Sequence, residues 1–146
     1  YGSAKGHAIA QDNRVAAVFH WDYLNRQIRI EGLATISPAE ESDCYFQSRD
    51  RASQIGAWAS VQSETIKSQH ALRDQVAAIT GQHADTSLPV PRPPFWGGYR
   101  IWFTGIELWS RGDARLHDRG RWDRTLSFEN PNEPTASNWQ NRRLPP

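Results

Sequence analysis

Groups that can carry positive charge alternate along the run 115–119 (RLHDR). In an extended chain, alternate side chains point to opposite faces, so Arg115, His117 and Arg119 would share one face. Cationic groups on one face repel each other unless an anion or dipole lies among them, and cross-strand pairing would favour alternating signs. The run therefore favours a functional site over a solvated strand, with Asp118 partly neutralising the charge.

A second group of polar residues is spaced to suit a phosphate. Tyr45 and Arg49 are four residues apart, so on a helix they share a face, and Ser53 follows close behind. A phenol, a forked guanidinium and a hydroxyl together can hold a phosphomonoester. Basic residues that complement the dipole at a helix end, such as Arg49 and Arg51, have the same appearance. Both interpretations remain open on these residues alone.

Two further stretches could contact a ligand. Gln27 lies on a predicted strand, where its amide could form hydrogen bonds with the edge of a planar heterocycle. The polar side chains of this strand could equally form a solvated outer face, and the residues alone favour that interpretation. The segment 53–63 (SQIGAWASVQS) mixes small residues with Gln and Ser. It is typical either of a capped helix with a loop or of a close backbone approach to a ligand, with Gln62 and Ser63 as hydrogen-bonding groups.

Composition restricts the class of protein. The 146 residues fit one domain, expected to span 1–146, and the formal charge of +1 gives no reason to expect nucleic acid or an anionic membrane as partner. No apolar run is long enough to cross a membrane. Cys44 is the single cysteine, so no intrachain disulfide is expected, and a cytoplasmic location is predicted. The histidines are scattered and give no reason to expect a metal site.

The elements that must position these residues follow from periodicity and capping. Strands are predicted over 14–21 and 27–36, joined by a short connection, with Ile28 and Ile30 on the buried face. Helices are predicted from an N-cap at Ser37 to about Arg49, around 50–60, and from Ser68 to Gly81. The proline-rich stretch 89–94 must be an extended connector.

The remaining predicted strands lie near 98–104, 105–110, 120–128 and 139–144, with a polar loop at 129–138. Strands, then helices, then strands again predict an α+β fold, mainly β, built on an antiparallel sheet or barrel.

Six blocks resemble the pyridoxamine 5′-phosphate oxidase family, from Tyr1 to the closing RLP. They are Ser3-x-Lys5-Gly6, LNRQIRIEG (24–32), YFQSRDRASQIGAWASVQS (45–63), VPRPPFWGGYR (90–100), IELW (106–109) and RLHDR (115–119). The resemblance implies an FMN-binding split β-barrel with flanking helices, acting as a homodimer with FMN at the interface. It also implies oxidation of pyridoxamine or pyridoxine 5′-phosphate to pyridoxal 5′-phosphate, with O₂ as electron acceptor and H₂O₂ as product.

The resemblance assigns roles position by position. The FMN phosphate would be bound by Lys5, and the rest of the flavin by Gln27, Gln62, Ser63, Trp109 and Arg119. The substrate phosphate would be gripped by Tyr45, Arg49 and Ser53. Arg115 and His117 would lie over the substrate ring as binding and catalytic residues, where Arg115 orients the ring and assists proton removal.

The chain also departs from the family pattern. Ala4 and Asp50 stand where the family usually has Arg and Pro, and LWSR (108–111) replaces the usual Phe-Trp-Gln-Gly. Family members carry an N-terminal part before the position of Tyr1, with the first barrel strands and further FMN-phosphate ligands. We expect either a partial sequence or a reduced homologue. The alternatives are a related flavin oxidase with another substrate, of the phenazine-biosynthetic kind, and a non-catalytic homologue that has lost FMN.

Overall fold

The computed structural model of the chain describes residues 1–60, 62–130 and 133–146. It falls into two compact units, each built from two stretches of chain. The first unit comprises residues 1–11 and 36–98 and carries the helices; the second comprises residues 12–35 and 99–146 and carries the main sheet. Each unit is described by itself.

In the described part of the first unit there are four α-helices: α1 (Ala4–Gln11), α2 (Ala39–Ser48), α3 (Arg51–Ala59) and α4 (Gln69–Gln82). The last three confirm the helices expected from the sequence. Helix α4 begins as its cap predicts, because the Ser68 hydroxyl accepts a hydrogen bond from the Ala71 amide at 3.1 Å.

Two details of the helices differ from expectation. The N-cap of α2 is Pro38 rather than Ser37, and it makes no side-chain cap bond. Ser37 instead donates its amide to the Gly98 carbonyl at 3.0 Å, so its backbone is engaged outside the helix. Helix α1 was not predicted, because eight residues that include a glycine give little periodic signal. At its start, the Ser3 hydroxyl accepts from the Gly6 amide at 3.1 Å.

The core of the first unit forms around Phe46 and Val90, both fully buried, with Ile55 and Ala59 of α3. Val90 belongs to the proline-rich connector, which is neither helix nor strand, as expected. Side chains hold this connector through its carbonyls: Gln47 donates to Val90 at 2.9 Å and the Trp58 indole donates to Pro91 at 2.8 Å. The connector is therefore a fixed part of the unit.

The second unit is a five-stranded sheet in the order β1-β2-β3-β4-β7, with a small separate ribbon of β5 and β6. Strand β1 is antiparallel to β2, β3 to β4, and β4 to β7. The bounds are β1 (Arg14–Trp21), β2 (Arg26–Ile36), β3 (Tyr99–Ser110), β4 (Asp118–Asp123), β5 (Leu126–Ser127), β6 (Thr135–Ala136) and β7 (Gln140–Leu144).

The predicted bounds of the later strands were wrong. The predicted strands at 98–104 and 105–110 are one strand, β3, and the predicted strand at 120–128 is β4 followed by the short β5. Strand β6 lies within the predicted loop 129–138, of which residues 131 and 132 are outside the described residues. Ile28 and Ile30 of β2, which were predicted to lie on the buried face of the strand, are half-buried.

Gly105 lies inside β3 for a steric reason rather than as a turn signal. The Arg121 guanidinium of β4 reaches Glu31 of β2, with Nη2 to Oε2 at 2.7 Å. Strand β3 lies between these two strands, and a Cβ on Gly105 would overlap the guanidinium. Because Gly105 has no side chain, the Arg121 side chain can cross β3 and reach Glu31.

Candidate functional site

The first unit contains a cavity of about 480 Å³ along one face of α3. Its lining brings together small residues, hydroxyl groups, one arginine and three aromatic rings. They are Tyr1, Gly2, Ser3, Arg49, Ser53, Gly56, Ala57, Ser60, Gln62, Phe95, Trp96 and Gly97.

Arg49 is the charged residue of this cavity. Its guanidinium carbon lies 5.3 Å from the centre of the Trp96 ring, a cation–π contact. The Tyr45 ring stacks on the same Trp96 at 5.9 Å, so Tyr45 and Arg49 do share a region, as their spacing predicted. Among the described residues, the buried Nη1 atom of Arg49 has no hydrogen-bond partner. A buried guanidinium donor without an acceptor is costly, which favours an anionic ligand there.

Ser53 is already engaged by its neighbour. Asp50 is the N-cap of α3: its carboxylate accepts from the Ser53 amide at 2.9 Å and from the Ser53 hydroxyl at 2.7 Å. These hydrogen bonds from Ser53, with the nearby charge of Arg49, hold the pKa of Asp50 below its usual range. Ser53 therefore lines the cavity with its hydroxyl proton directed to Asp50.

Arg51 does not join Arg49 and Ser53 in a basic cluster, as one interpretation of the sequence had it. Its guanidinium donates to the carbonyls of His83, Asp85 and Leu88 at 2.8 to 2.9 Å. These carbonyls lie at and after the end of α4. Arg51 thus fixes that segment and is not available to a ligand of the cavity.

Lys5 and Ser63 come from distant parts of the chain but lie close together in the first unit. The Ser63 hydroxyl accepts from the Ala4 amide at 3.2 Å, next to the exposed Lys5. Ser63 has a φ of 73°, which is unusual for a residue other than glycine. The exposed Gln62 lines the cavity, so Gln62 and Ser63 are both near the predicted site residues of this unit.

The second unit contains a larger cavity, of about 840 Å³, at the end of the sheet where β2 begins and β3 ends. Three tryptophans and several polar groups line it. They are Trp21, Leu24, Arg26, Gln27, Ile28, Leu108, Trp109, Ser110, Asp118, Gly120, Trp122, Asn141, Arg142 and Arg143. Gln27 and Trp109, predicted separately, are thus brought to one cavity.

The structure contradicts the predicted alternation of Arg115, His117 and Arg119 on one face. Residues Asp113–Arg115 form a 3₁₀ turn, and β4 begins only at Asp118. Ala114 and Arg115 both have positive φ, 50° and 65°, so the chain is not extended there. Gly112 permits the turn, because a Cβ on it would overlap the Leu116 carbonyl. This geometry puts backbone strain at Arg115, a feature that concentrates at functional sites.

His117 is held by this turn. Its Nδ1 accepts from the Gly112 amide at 3.3 Å, and its ring lies 4.8 Å from the Trp109 ring. Because Nδ1 accepts, the neutral imidazole carries its proton on Nε2, which is then the donor available to a ligand. Arg115 and His117 line a third cavity, of about 610 Å³, with Arg111, Gly112, Asp113 and Ala114.

Arg119 is fixed by the sheet instead of lying beside Arg115. It pairs with Trp109 across β3 and β4, and its Nε donates to Glu107 at 2.9 Å. Its Nη1 donates to the Pro145 carbonyl at 3.0 Å. Glu107 is 4% exposed and also faces Arg29, with Nη1 to Oε2 at 3.9 Å. Two arginines therefore compensate this buried carboxylate.

Sequence reasoning missed three residues of these sites: Trp96, Glu107 and Gly112. Trp96 and Glu107 lie inside the blocks VPRPPFWGGYR and IELW, which were noticed for their resemblance without a role for either residue. The burial of Glu107 was not visible, because a carboxylate on a strand reads as a solvated residue. Gly112 has the appearance of an ordinary glycine before a turn, which gives no reason to place it in a site.

No cluster of three or more His, Cys, Asp or Glu that could hold a metal ion occurs among residues 1–60, 62–130 and 133–146. Within the same ranges, no helix has the length and apolar character needed to cross a membrane.

Two family models match the chain. Residues 1–83 match the model described as pyridoxamine 5′-phosphate oxidase, and residues 96–146 match the model described as pyridoxine 5′-phosphate oxidase C-terminal dimerisation region. The division between the models falls in the connector that precedes β3.

Named relatives are similar over most or all of the chain. The pyridoxine/pyridoxamine 5′-phosphate oxidase of Jannaschia sp. is 44% identical over 100% of this chain and 66% of its own length. The Rubrobacter xylanophilus enzyme of the same name is 48% identical over 82% of this chain and 54% of its own length. The chain thus spans between about half and two thirds of the length of these relatives.

Solved structures share the fold. The crystal structure of PhzG from Burkholderia lata, in complex with tetrahydrophenazine-1-carboxylic acid, superposes with a TM-score of 0.81 at 27% identity, over 99% of this chain and 64% of that one. A pyridoxamine 5′-phosphate oxidase-related, FMN-binding protein from Nostoc punctiforme gives a TM-score of 0.59 at 15% identity, over 99% of this chain and 69% of that one. These likenesses confirm the α+β fold of the split β-barrel class. With both family models matched and this identity along the whole chain, the protein belongs to the pyridoxamine 5′-phosphate oxidase family.

Proposed function

We propose that this protein is an FMN-dependent oxidase that converts pyridoxamine or pyridoxine 5′-phosphate to pyridoxal 5′-phosphate, with O₂ as electron acceptor and H₂O₂ as product. The observation that carries the proposal is the buried, unpartnered Nη1 of Arg49 in a cavity of the first unit. Family membership supplies the reaction class, and this donor supplies the reason to expect a phosphorylated substrate.

The second unit is suited to a flavin. Its cavity of about 840 Å³ is within the range of small-molecule sites and is lined by the Trp109 ring and the Gln27 amide. An amide both donates and accepts hydrogen bonds, as the edge of the flavin ring system requires. We propose Gln27 and Trp109 of this cavity as flavin-binding residues, while FMN-binding roles for Lys5, Gln62, Ser63 and Arg119 stay predictions. Bound FMN would supply the two-electron acceptor.

In the substrate site, Tyr45, Arg49 and Ser53 would bind the phosphate. The Arg49 guanidinium is oriented by its contact with Trp96, and its buried Nη1 has no hydrogen-bond partner among the described residues. Tyr45 stacks on the same ring with its side chain exposed, which leaves its hydroxyl accessible. A preorganised donor loses less entropy on binding than a mobile one.

Arg115 and His117 would act on the substrate ring. The positive φ of Arg115 fixes the direction in which its side chain leaves the turn. His117 presents Nε2–H because its Nδ1 accepts from Gly112. We propose that Arg115 orients the ring and assists proton removal from the substrate, and that His117 donates a hydrogen bond to the substrate.

We further propose a homodimer. The C-terminal family model is described as a dimerisation region, and the second unit exposes large apolar side chains on β1. Val18 is 60% exposed, Phe19 49% and Trp21 43%, and the last two rings stack at 6.2 Å. Adjacent exposed aromatic side chains of this size are typical of an interface. A single 1–146 domain and a cytoplasmic location remain predictions.

A flavin oxidase with another substrate is the second candidate. It is favoured by the likeness to PhzG, whose crystal structure contains tetrahydrophenazine-1-carboxylic acid. A third candidate is a homologue without FMN, which the absence of Arg at position 4 favours.

Reconstitution and turnover distinguish these candidates. Protein incubated with FMN and desalted should retain flavin absorbance and should form pyridoxal 5′-phosphate from pyridoxamine 5′-phosphate. Retained flavin without this product would favour another substrate. Failure to retain FMN would contradict the proposal and favour the non-catalytic homologue.

A further inference from the structure

Asp50 stands between the two residues that would bind a ligand phosphate in the first unit. Arg49 precedes it and lines the cavity, and among the described residues its buried Nη1 has no hydrogen-bond partner; Ser53, three residues after Asp50, lines the same cavity. The Asp50 carboxylate accepts both from the Ser53 amide, at 2.9 Å, and from the Ser53 hydroxyl, at 2.7 Å. The carboxylate thus takes the two donors of Ser53 that an incoming phosphate would use.

The charge of Asp50 adds to this competition. Hydrogen bonds from Ser53 lower its pKa, so the group is ionised at neutral pH. A phosphomonoester also carries close to two negative charges at that pH. Like charges at short range oppose each other, and partial exposure of the site reduces the effect without removing it.

We propose that Asp50 is a specificity-determining residue, which weakens the binding of dianionic phosphomonoesters in this cavity relative to ligands with less or no negative charge. The inference rests on the proposed phosphate-binding role of Arg49 and Ser53 and deepens it. It predicts a protein that discriminates less strongly between phosphorylated and unphosphorylated vitamers than a homologue with a neutral residue at this position.

The backbone at position 50 is compatible with proline, the residue usual in the family, so a proline variant can serve as a test. Asp50 has a φ of −61°, the value fixed by a proline ring, and Arg49 before it has a ψ of 151°, as a residue before proline requires. Asp50→Pro would remove the charge and free both donors of Ser53. Asp50→Asn would remove the charge and keep an equally good helix cap.

Asp85 offers a matched control. Its carboxylate accepts from the Ser87 amide at 2.9 Å and from the Ser87 hydroxyl at 2.6 Å, and these bonds lower its pKa in the same way. Asp85 lies in the same unit, but its partner Ser87 does not line the cavity, whereas Ser53, the partner of Asp50, does. Asp85→Asn therefore removes an equivalent charge at an unrelated place.

The measurement is calorimetric titration of the FMN-loaded full chain with inorganic phosphate, pyridoxine 5′-phosphate and pyridoxine. For both phosphate-bearing probes we expect Asp50→Asn to lower Kd by about two- to fivefold, and Asp50→Pro by at least as much, as for the interaction of exposed charges. Asp85→Asn should change no Kd, and the Kd of pyridoxine should be the same in all variants.

The outcomes separate this inference from the proposed function. If inorganic phosphate binds more tightly to both Asp50 variants while no variant oxidises pyridoxine 5′-phosphate, the inference stands and the proposed function fails. If the wild type oxidises that substrate but the Kd for phosphate is equal or higher in the Asp50 variants, the inference is overturned alone. Failure of all variants to bind inorganic phosphate would also overturn it.

Discussion

Arg49 is the residue on which phosphate recognition depends. Its guanidinium is oriented over Trp96 at 5.3 Å, while Nη1 is buried without a partner. Burial of a donor without an acceptor costs about 1–3 kcal/mol, and more for a charged group. A ligand phosphate that accepted a hydrogen bond from Nη1 would remove this cost, so the buried donor favours phosphate binding.

We expect Arg49→Ala to raise the KM for the phosphorylated substrate by about 10- to 100-fold, as for the loss of a charge-assisted hydrogen bond. The Kd of FMN should change much less. Steady-state kinetics and flavin titration measure the two constants.

Arg73→Ala is a suitable control, because Arg73 is exposed on α4 and does not line the cavity. Equal effects of Arg49→Ala on substrate and on FMN would remove Arg49 from the phosphate-binding role.

Individual residues of the site were partly predictable. The four-residue spacing of Tyr45 and Arg49 correctly predicted that the two side chains lie near each other, since both contact Trp96, although α2 ends at Ser48 and Arg49 is extended. The two-residue alternation of Arg115 and His117 failed, because two consecutive positive φ values turn the chain. Such a turn is not encoded by residue type at Ala114, since alanine only occasionally adopts that conformation.

At the level of elements, the sheet depends on a charged network that crosses three strands. Arg121 bridges Glu31 at 2.7 Å and Asp123 at 2.8 Å, and Arg142 of β7 contacts Asp123 at 2.6 Å. Gly105 of β3 provides the space over which Arg121 passes.

Gly105→Ala should therefore destabilise the protein, by about 1–3 kcal/mol, as overpacking of a filled site does. The added Cβ would displace the Arg121 guanidinium. Chemical denaturation measures the change in the free energy of unfolding.

Gly81→Ala is the contrasting variant, since a Cβ at that position on α4 meets nothing within 4 Å. It should be neutral or slightly stabilising, because alanine favours helix over glycine. Similar losses in both variants would mean that Gly105 has no special steric role.

The same network predicts how stability depends on pH. The hydrogen bond from Arg121 lowers the pKa of Glu31 below its ordinary value of 4.5. Burial acts to raise the pKa of Asp123, but Arg121 and Arg142 outweigh it and lower that pKa below 3.8. Carboxylates with a depressed pKa in the folded state contribute their full stability above the ordinary value and lose it as pH falls.

The free energy of unfolding should therefore decrease as pH is lowered from about 5 to 3, and Arg121→Gln should make this decrease shallower. Urea denaturation across that range is the measurement. An identical slope in the variant would show that the network does not contribute to the acid sensitivity.

Element prediction succeeded where local signals were strong. Helix α4 was found from Ser68 and its apolar spacing, and β1 and β2 from their β-branched residues. Strand β3 was divided in error because Gly105 resembles a breaker, and only the contact with Arg121 across the sheet explains it. Long-range packing of this kind has no local signature.

For the whole molecule, the exposed apolar face of β1 predicts self-association. Phe19→Glu would place a charge among Trp21 and its neighbours, and a charge without a partner is strongly disfavoured in a buried interface. We expect this variant to be monomeric by light scattering at concentrations where the wild type is a dimer.

Leu88→Glu provides the comparison, because Leu88 is a 61% exposed apolar residue of the first unit and does not belong to β1. It should leave the dimer intact. A dimeric Phe19→Glu protein would exclude this strand from the interface.

The measurement that tests the proposed oxidase most directly is the stoichiometry of turnover. FMN-loaded protein would be supplied with pyridoxine 5′-phosphate while O₂ uptake, pyridoxal 5′-phosphate and H₂O₂ are recorded together. The proposal predicts that one pyridoxal 5′-phosphate and one H₂O₂ form for each O₂ consumed, with both rates strongly reduced in Arg115→Ala. Flavin-loaded protein that consumes no O₂ with this substrate would contradict it.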